Sequence, residues 1–154
     1  LKKVIGKNSH SSSENDPLHK PRFHNVRDIE IFKLLAKDLS SNNPKYTDIN
    51  SIKEIYKEKV GKKANVHKYY VLRWNEASNL IPAHLLKDGL RHIHPDYKQS
   101  RSITMREAAR LQNFPDTFKF EDSQTNVFKM IGNAVSPLMA EKIAIAVKKT
   151  FNSI

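Results

Sequence analysis

The chain has 154 residues, no cysteine and a formal net charge of +11 at pH 7. This length fits one domain with a modest core, and the absence of thiols excludes disulfides, thiolate metal sites and cysteine nucleophiles from the chain. So basic a composition favours a polyanionic partner such as nucleic acid, and a solvated lysine-rich surface is the plainer alternative. No uninterrupted apolar run approaches the roughly 18 residues of a membrane span, and the N-terminus lacks the apolar core of a signal peptide.

Residues 1–20 are predicted to be a linker or mobile arm. They are polar, rich in Ser and Asn around residues 7–20, and interrupted by Pro17. The first residue is Leu rather than Met, so we expect the chain to be a piece of a longer protein.

Two helices are predicted next from apolar residues at helical spacing. Asn25 or Asp28 would cap the first helix, whose inner face would hold Ile29, Phe32, Leu35, Ala36 and Leu39. Thr47 or Asp48 would cap the second, and Gly61 would close it in the left-handed conformation. The apolar face of the second helix would hold Ile49, Ile52, Tyr56 and Val60.

The middle of the chain is predicted to hold short strands. Residues 69–72, YYVL, are aromatic and β-branched, which favours a strand. Asp88-Gly89 is a turn signal that fits a hairpin. The surrounding segment, residues 78–95, has a mixed composition typical of short strands and irregular loops.

A capping box marks a further helix near residue 104. Thr104 and Glu107 fit the S/T-x-x-E pattern in which each side chain bonds the other residue's backbone N–H. The helix would run to about Gln112, with Ala108 and Leu111 on its inner face.

The C-terminal segment is predicted to be helical. A short helix is expected over residues 123–131, and Ser136 followed by Pro137 is a strong start signal for the last one. That helix would run to about Phe151, and its buried stripe would hold Ala140, Ile143, Ala144, Val147 and Phe151. Together the elements predict an α+β fold, with helices around a small, mostly antiparallel sheet.

Two motifs resemble those of a known enzyme family. Residues 101–120, RSITMREAARLQNFPDTFKF, closely resemble motif IX of the DNA (cytosine-5) methyltransferases, R-x-(I/L)-T-x-R-E-A-A-R-L-Q-x-F-P-D-x-F. Residues 131–137, IGNAVSP, are similar to motif X, with a Ser in place of its first Pro and a Met before the Ile in place of its Gln. Residues 81–96 resemble the end of the target recognition region of bacterial members, with Leu80 where a Thr commonly stands.

The resemblance implies the C-terminal part of a bacterial methyltransferase. Residues 1–20 would be a linker, 21–100 the target recognition region, and 101–154 motif IX, motif X and a C-terminal helix that would pack on a missing α/β catalytic domain. The family's F-x-G-x-G, Pro-Cys and Glu-Asn-Val motifs do not occur. The family's thiolate must add to cytosine C6 before C5 can take a methyl group, so the resemblance implies no catalytic residue in this chain and no methyl transfer by it alone.

The resemblance also implies roles for particular residues. The recognition region would face the major groove of DNA, and its candidate contacts are the polar and basic residues Lys62, Lys63, Arg73, Asn75, Asn79, His84, Lys87 and Arg91. An ordinary solvated side chain is the alternative for each. A structural role in motif IX is implied for Arg101, Thr104, Arg106, Glu107 and Arg110, with phosphate contact as the alternative for the arginines. Asn133 and Ala134 map onto the border of the S-adenosylmethionine pocket.

The implied partners are double-stranded DNA and a catalytic domain in cis or a catalytic subunit in trans. S-adenosylmethionine would be bound mainly by that missing domain. The implied context is a restriction-modification system in the bacterial cytoplasm, associated with the nucleoid, with no membrane contact. His84, His92 and His94 lack neighbouring cysteines, so no metal site is predicted. Two alternatives stay open: a natural small subunit of a split methyltransferase, and a non-enzymatic sequence-specific DNA-binding module.

Overall fold

The structure, a computed structural model, describes residues 16–62, 69–87 and 89–152. Within them lie five α-helices: α1 (Val26–Leu39), α2 (Ile49–Val60), α3 (Met105–Leu111), α4 (Gln124–Asn133) and α5 (Pro137–Phe151). The described residues form two compact units. The central unit comprises residues 21–62, 69–80, 87 and 89–104, and the terminal unit comprises residues 16–20, 81–86 and 105–152.

Helices α1 and α2 form where the sequence predicts them. The side chain of Asn25 caps α1 by accepting a hydrogen bond from the backbone N of Asp28 at 2.8 Å. The Asp48 side chain caps α2, and Gly61 ends it with a φ of 71°. Of the predicted inner residues of α1, Ile29 is exposed. The apolar residues that the helix does bury are Ile31, Phe32, Leu35 and Ala36.

The core of the central unit joins these two helices to the extended segments that follow. Its buried apolar side chains are Ile31, Phe32, Leu35, Ala36, Ile55, Val71 and Ile93. Beside them, the Tyr69 hydroxyl donates to the buried Asp28 carboxylate at 2.9 Å, and burial and this hydrogen bond raise the pKa of Tyr69. The Asp28 carboxylate also accepts from Asn25 and Arg27, so this buried charge has several partners.

The predicted α+β fold is wrong, because the described part of the chain contains no strand and no sheet. The expected strand at residues 69–72 supplies only Val71, which forms an isolated parallel bridge with Ile93. Ile93 in turn forms an isolated antiparallel bridge with Ser102. Turns at residues 74–76 and 97–99 interrupt each extended segment after a few residues. A ladder of alternating hydrogen bonds therefore cannot propagate.

The predicted hairpin at Asp88-Gly89 is also absent from the described residues. Asp88 itself lies outside them, and Gly89 begins a 3-10 helix, Gly89–Arg91. A Cβ added at Gly89 would lie 2.7 Å from Nη1 of Arg22, so the missing side chain leaves room for this guanidinium. Burial of that group lowers the pKa of Arg22 to about 10.

The terminal unit is built around the pairing of α3 with α4. Its fully buried side chains are Leu85, Ala108, Ala109, Val127, Phe128 and Ile131. The prediction of Ala108 on the inner face of α3 is confirmed, whereas that of Leu111 is wrong because this residue is exposed. Leu111 is the last residue of α3, and the residue that is buried beside Ala108 is Ala109.

Gly132 allows a close backbone approach at the end of α4. A Cβ at this position would lie 2.3 Å from the carbonyl oxygen of Pro82 and 3.1 Å from Cα of Ala83. The Pro82 oxygen is fixed in place, because it accepts a hydrogen bond from the backbone N of Leu85 at 3.0 Å. Glycine is therefore the residue that fits here.

Helix α5 has the predicted boundaries but not the predicted burial. It starts after Ser136 with Pro137 and ends at Phe151, yet none of its residues is buried. Ile143 is 50% exposed and Phe151 is 73% exposed, because no segment within residues 16–62, 69–87 or 89–152 covers the apolar face. Contrary to the sequence prediction, the stretch Gln124–Phe151 is long and apolar enough to cross a membrane. Residues 134–136 divide this stretch into the two helices α4 and α5.

Candidate functional site

Arg73 and Asn75, two of the predicted DNA contacts, lie together in the turn that follows Leu72. Both side chains are exposed and both line the same groove of the central unit. Nη1 of Arg73 donates to Oε1 of Glu76 at 2.8 Å, and this hydrogen bond and the charge of Glu76 raise the pKa of Arg73. Arg73, Glu76 and Asn75 together present a cation, a carboxylate and an amide at one turn.

A second pair of predicted contacts lies elsewhere in the central unit. Nδ2 of Asn79 donates to the carbonyl oxygen of Arg91 at 3.4 Å, and the Arg91 side chain is exposed. Lys62, just after α2, and Lys87 are exposed. His84 is exposed but belongs to the terminal unit, and Lys63 lies outside the described residues.

Trp74 is a neighbour of this site that the sequence reasoning missed. It is exposed between Arg73 and Asn75, and it packs edge to face on His94, with ring centroids 5.4 Å apart. The signal available in the sequence was a single tryptophan flanked by two candidate base-contacting residues.

The histidines are divided between buried and exposed positions. His92 and His94 are buried in the central unit, whereas His84 is exposed. Nδ1 of His94 accepts a hydrogen bond from the backbone N of Asp96 at 3.2 Å, which makes this nitrogen an acceptor. Among the described residues, no three His, Cys, Asp or Glu side chains are grouped to hold a metal ion.

The motif IX arginines donate hydrogen bonds to side-chain and backbone oxygens within their own units. Arg106 is 4% exposed, and its guanidinium forms an ion pair with the Asp16 carboxylate and donates to the carbonyl oxygen of Phe118. Arg110 binds both oxygens of Asp116, each at 2.9 Å. In the central unit, Arg101 donates to Oε1 of Gln99 and to the carbonyl oxygen of Ser102.

Asp16 was placed in the predicted linker, and its contact with Arg106 could not be read from the sequence. Burial opposes ionisation of this carboxyl, but hydrogen bonds from Arg106 and the backbone N of Leu18 outweigh it and lower the pKa of Asp16. Leu18 is buried beside it in the 3-10 helix Pro17–His19. The other motif IX residues, Thr104 and Glu107, are buried and half-buried at the start of α3.

The middle of motif IX contacts motif X. Nε2 of Gln112 donates to the carbonyl oxygen of Ile131 at 3.3 Å, and Nδ2 of Asn113 donates to Oγ of Ser136 at 3.2 Å. Asn133, the last residue of α4, is exposed, and Ala134 caps the helix through its backbone N–H. These two predicted cofactor contacts therefore lie at a helix end whose position motif IX helps to fix.

Comparison with known proteins assigns this arrangement to a family. The family model described as C-5 cytosine-specific DNA methylase matches residues 5–149. The Type II methyltransferase M.Bpa9945I of Bacillus paralicheniformis is 41% identical over 127 residues, which cover 82% of this chain and 28% of that protein. The putative type II methyltransferase M.OihORF3336P of Oceanobacillus iheyensis is 49% identical over 84 residues, covering 54% and 18%.

A third relative has the same partial coverage. The Type II methyltransferase M.AgeI of Thalassovita gelatinovora is 43% identical over 82 residues, which cover 53% of this chain and 19% of that protein. The chain thus spans less than a third of the length of these relatives. No solved structure matches the chain significantly.

Proposed function

The chain belongs to the C-5 cytosine-specific DNA methylase family, and we propose that it supplies DNA recognition to such an enzyme while another polypeptide segment supplies the chemistry. Enzymes of this family transfer a methyl group from S-adenosylmethionine to cytosine in DNA. The observation that carries the proposal is the complete absence of cysteine from a chain that bears the family's motifs IX and X.

The missing thiol prevents methyl transfer by the chain alone. Cytosine C5 is a poor nucleophile, and it becomes reactive when a thiolate adds covalently to C6. None of the 154 residues can provide this thiolate. The glycines do not form a loop that could cradle a cofactor, since they are scattered at Gly6, Gly61, Gly89 and Gly132.

The central unit would make the contacts with DNA. Arg73, Asn75 and Arg91 are exposed, and arginine and asparagine side chains match the edges of guanine and adenine in the major groove. Lys62 and Lys87 would bind phosphates, which positions the protein without reading the sequence. Lys63 and Asn79 remain candidate DNA contacts in the same part of the chain, and His84 is a further candidate that belongs to the terminal unit.

The terminal unit would orient the recognition part against a catalytic domain. Arg106 and Arg110 are bound by acidic groups, which supports a structural role for motif IX rather than phosphate contact. Asn133 and Ala134 would border the S-adenosylmethionine pocket. The catalytic domain, in cis or as a separate subunit, would cover the exposed apolar face of α5, since an apolar helix face of this length marks an interaction surface.

Binding of the chain to labelled duplex DNA at two salt concentrations tests this function. The slope of log K against log salt is about −0.9 for each phosphate contact. Three lysines on phosphates give a slope of about −2.7, hence an affinity about 40-fold weaker at 200 mM than at 50 mM salt. These lysines are Lys62, Lys63 and Lys87.

Three outcomes bear on the proposal and on the alternative of a free-standing DNA-binding module. Weak binding with a steep salt dependence agrees with a recognition part that needs its catalytic domain. Nanomolar, specific and nearly salt-insensitive binding by the chain alone would favour a free-standing DNA-binding module. Methylation that appears only after a catalytic polypeptide is added would support the division of labour between recognition and chemistry.

A further inference from the structure

Trp74, the chain's single tryptophan, stands at a groove in the central unit. Its side chain is 71% exposed, although tryptophan is on average a well-buried residue. The groove has a volume of about 330 Å³, at the small end of the range for ligand pockets. An exposed indole beside such a groove indicates contact with a ligand rather than a role in the core.

The indole is held in a defined position. The backbone N of Leu72 donates to the carbonyl oxygen of Ile93 at 2.9 Å, which anchors the chain two residues before Trp74. The indole meets the buried ring of His94 at an interplanar angle of 88°, and His94 is itself fixed by the backbone N of Asp96. A ring positioned in this way loses little conformational freedom when a ligand stacks on it.

The groove combines an apolar floor with a polar rim. Apolar side chains from α1 and the following segments line the floor, namely Ala36, Leu39 and Leu72. The rim presents a cation, an amide and a carboxylate from one turn, namely Arg73, Asn75 and Glu76. These groups match the donors and acceptors on base edges, and an indole offers a stacking face to any base. The net charge of +11 favours a polyanionic strand as the source of that base.

We propose that this groove binds one unpaired nucleobase of a DNA strand, with Trp74 stacking on the base and the rim side chains contacting its edge. The inference rests on the proposed function, because it requires that the chain bind DNA. It adds a second base site, distinct from the one that receives the cytosine to be methylated, which would lie in the catalytic domain. Stacking on one aromatic side chain strengthens binding of a base by about 5- to 150-fold.

Two DNA duplexes that differ by one unpaired nucleotide test the proposal. A bulged base is already free of its pairing partner, so the cost of unstacking it is smallest there. The full chain is expected to bind the bulged duplex more tightly than the fully paired one. The Trp74→Ala variant should bind the bulged duplex about 5- to 150-fold more weakly than the unaltered chain does. It should bind the two duplexes equally. Trp74→Phe should keep much of the preference, because it retains an aromatic face.

Phe23→Ala is the matched control, since Phe23 is an exposed aromatic residue of the same unit that does not line the groove. It should leave the preference for the bulged duplex unchanged. Emission from Trp74 gives a second readout that needs no variant. As the only tryptophan, it reports this site alone, and stacking of a base should quench it more with the bulged duplex.

The outcomes distinguish this inference from the function on which it rests. Binding of both duplexes without preference, or a preference that survives in Trp74→Ala, would overturn the base site and leave DNA recognition intact. Failure of the unaltered chain to bind either duplex would overturn both. Unchanged tryptophan emission on saturation with the bulged duplex would also overturn the base site.

Discussion

Substitution of Gly132 by alanine isolates the physical reason for the glycine of motif X. In an ordinary helix interior, Gly→Ala stabilises by about 0.5–1 kcal/mol because alanine loses less backbone entropy. Gly132 is the penultimate residue of α4, and its added Cβ would lie 2.3 Å from the Pro82 oxygen. That atom belongs to the backbone and is held by Leu85, so relief requires the two segments to separate.

We therefore expect Gly132→Ala to destabilise the chain by about 1–3 kcal/mol, the usual cost of overpacking. For a chain of this size the loss lowers Tm by about 3–10 °C. Urea unfolding followed by circular dichroism measures the change in the free energy of unfolding. Thr125→Ala, at an exposed position of α4, is the control and should be neutral or slightly stabilising. A Gly132→Ala variant as stable as Thr125→Ala would refute the steric argument.

Three further predictions concern the described contacts. Arg106→Met should destabilise the chain by about 3–5 kcal/mol in urea unfolding, because it leaves the Asp16 carboxylate without its buried partner. Adding Asp16→Asn to that variant should recover part of the lost stability. If the two substitutions lower the free energy of unfolding independently, the pairing is contradicted. The folded-state pKa of Asp16 is lowered, so the stability that its carboxylate contributes is complete above its unfolded pKa near 3.8 and is lost as pH falls through the folded pKa. Asp16→Asn should therefore reduce the fall in the free energy of unfolding at acid pH. An unchanged fall would exclude this carboxyl as its cause. Gly61→Val should cost about 1–2 kcal/mol and Gly61→Asn less, because φ is +71° with nothing within 4 Å, and equal losses would show that φ is not the cause.

Local helix signals in this sequence were reliable because they depend on neighbouring residues. The Asn25 and Asp48 caps and the left-handed Gly61 form from interactions within a few positions, and Pro137 starts the last helix at its first residue. Such signals do not depend on the rest of the fold.

The predictions that failed depended on what each element packs against. YYVL has strand composition, but a strand needs a partner of matching length. Turns end the segments at Val71 and Ile93 after a few residues, and helix α3 ends the segment at Ser102. The stripe on α5 is apolar, but burial needs a surface to cover it, which the described residues do not provide. Periodicity indicates which face is apolar and not whether that face is covered.

The sequence predicted those residues of the candidate site that lie in one short segment and have side chains suited to DNA bases. Arg73 and Asn75 were selected for the bases that their side chains can match, and the structure places both on one groove. The contact between Asp16 and Arg106 spans 90 positions, so no local pattern reports it. Trp74 was overlooked because its exposure, which gives it significance, is a property of the folded chain.

Transfer of a radiolabelled methyl group from S-adenosylmethionine to duplex DNA by the purified chain alone tests the central claim most directly. The account predicts no label in DNA above a control without protein, because no thiolate is available to add to cytosine C6. Labelled 5-methylcytosine formed by this chain without any other polypeptide would contradict it.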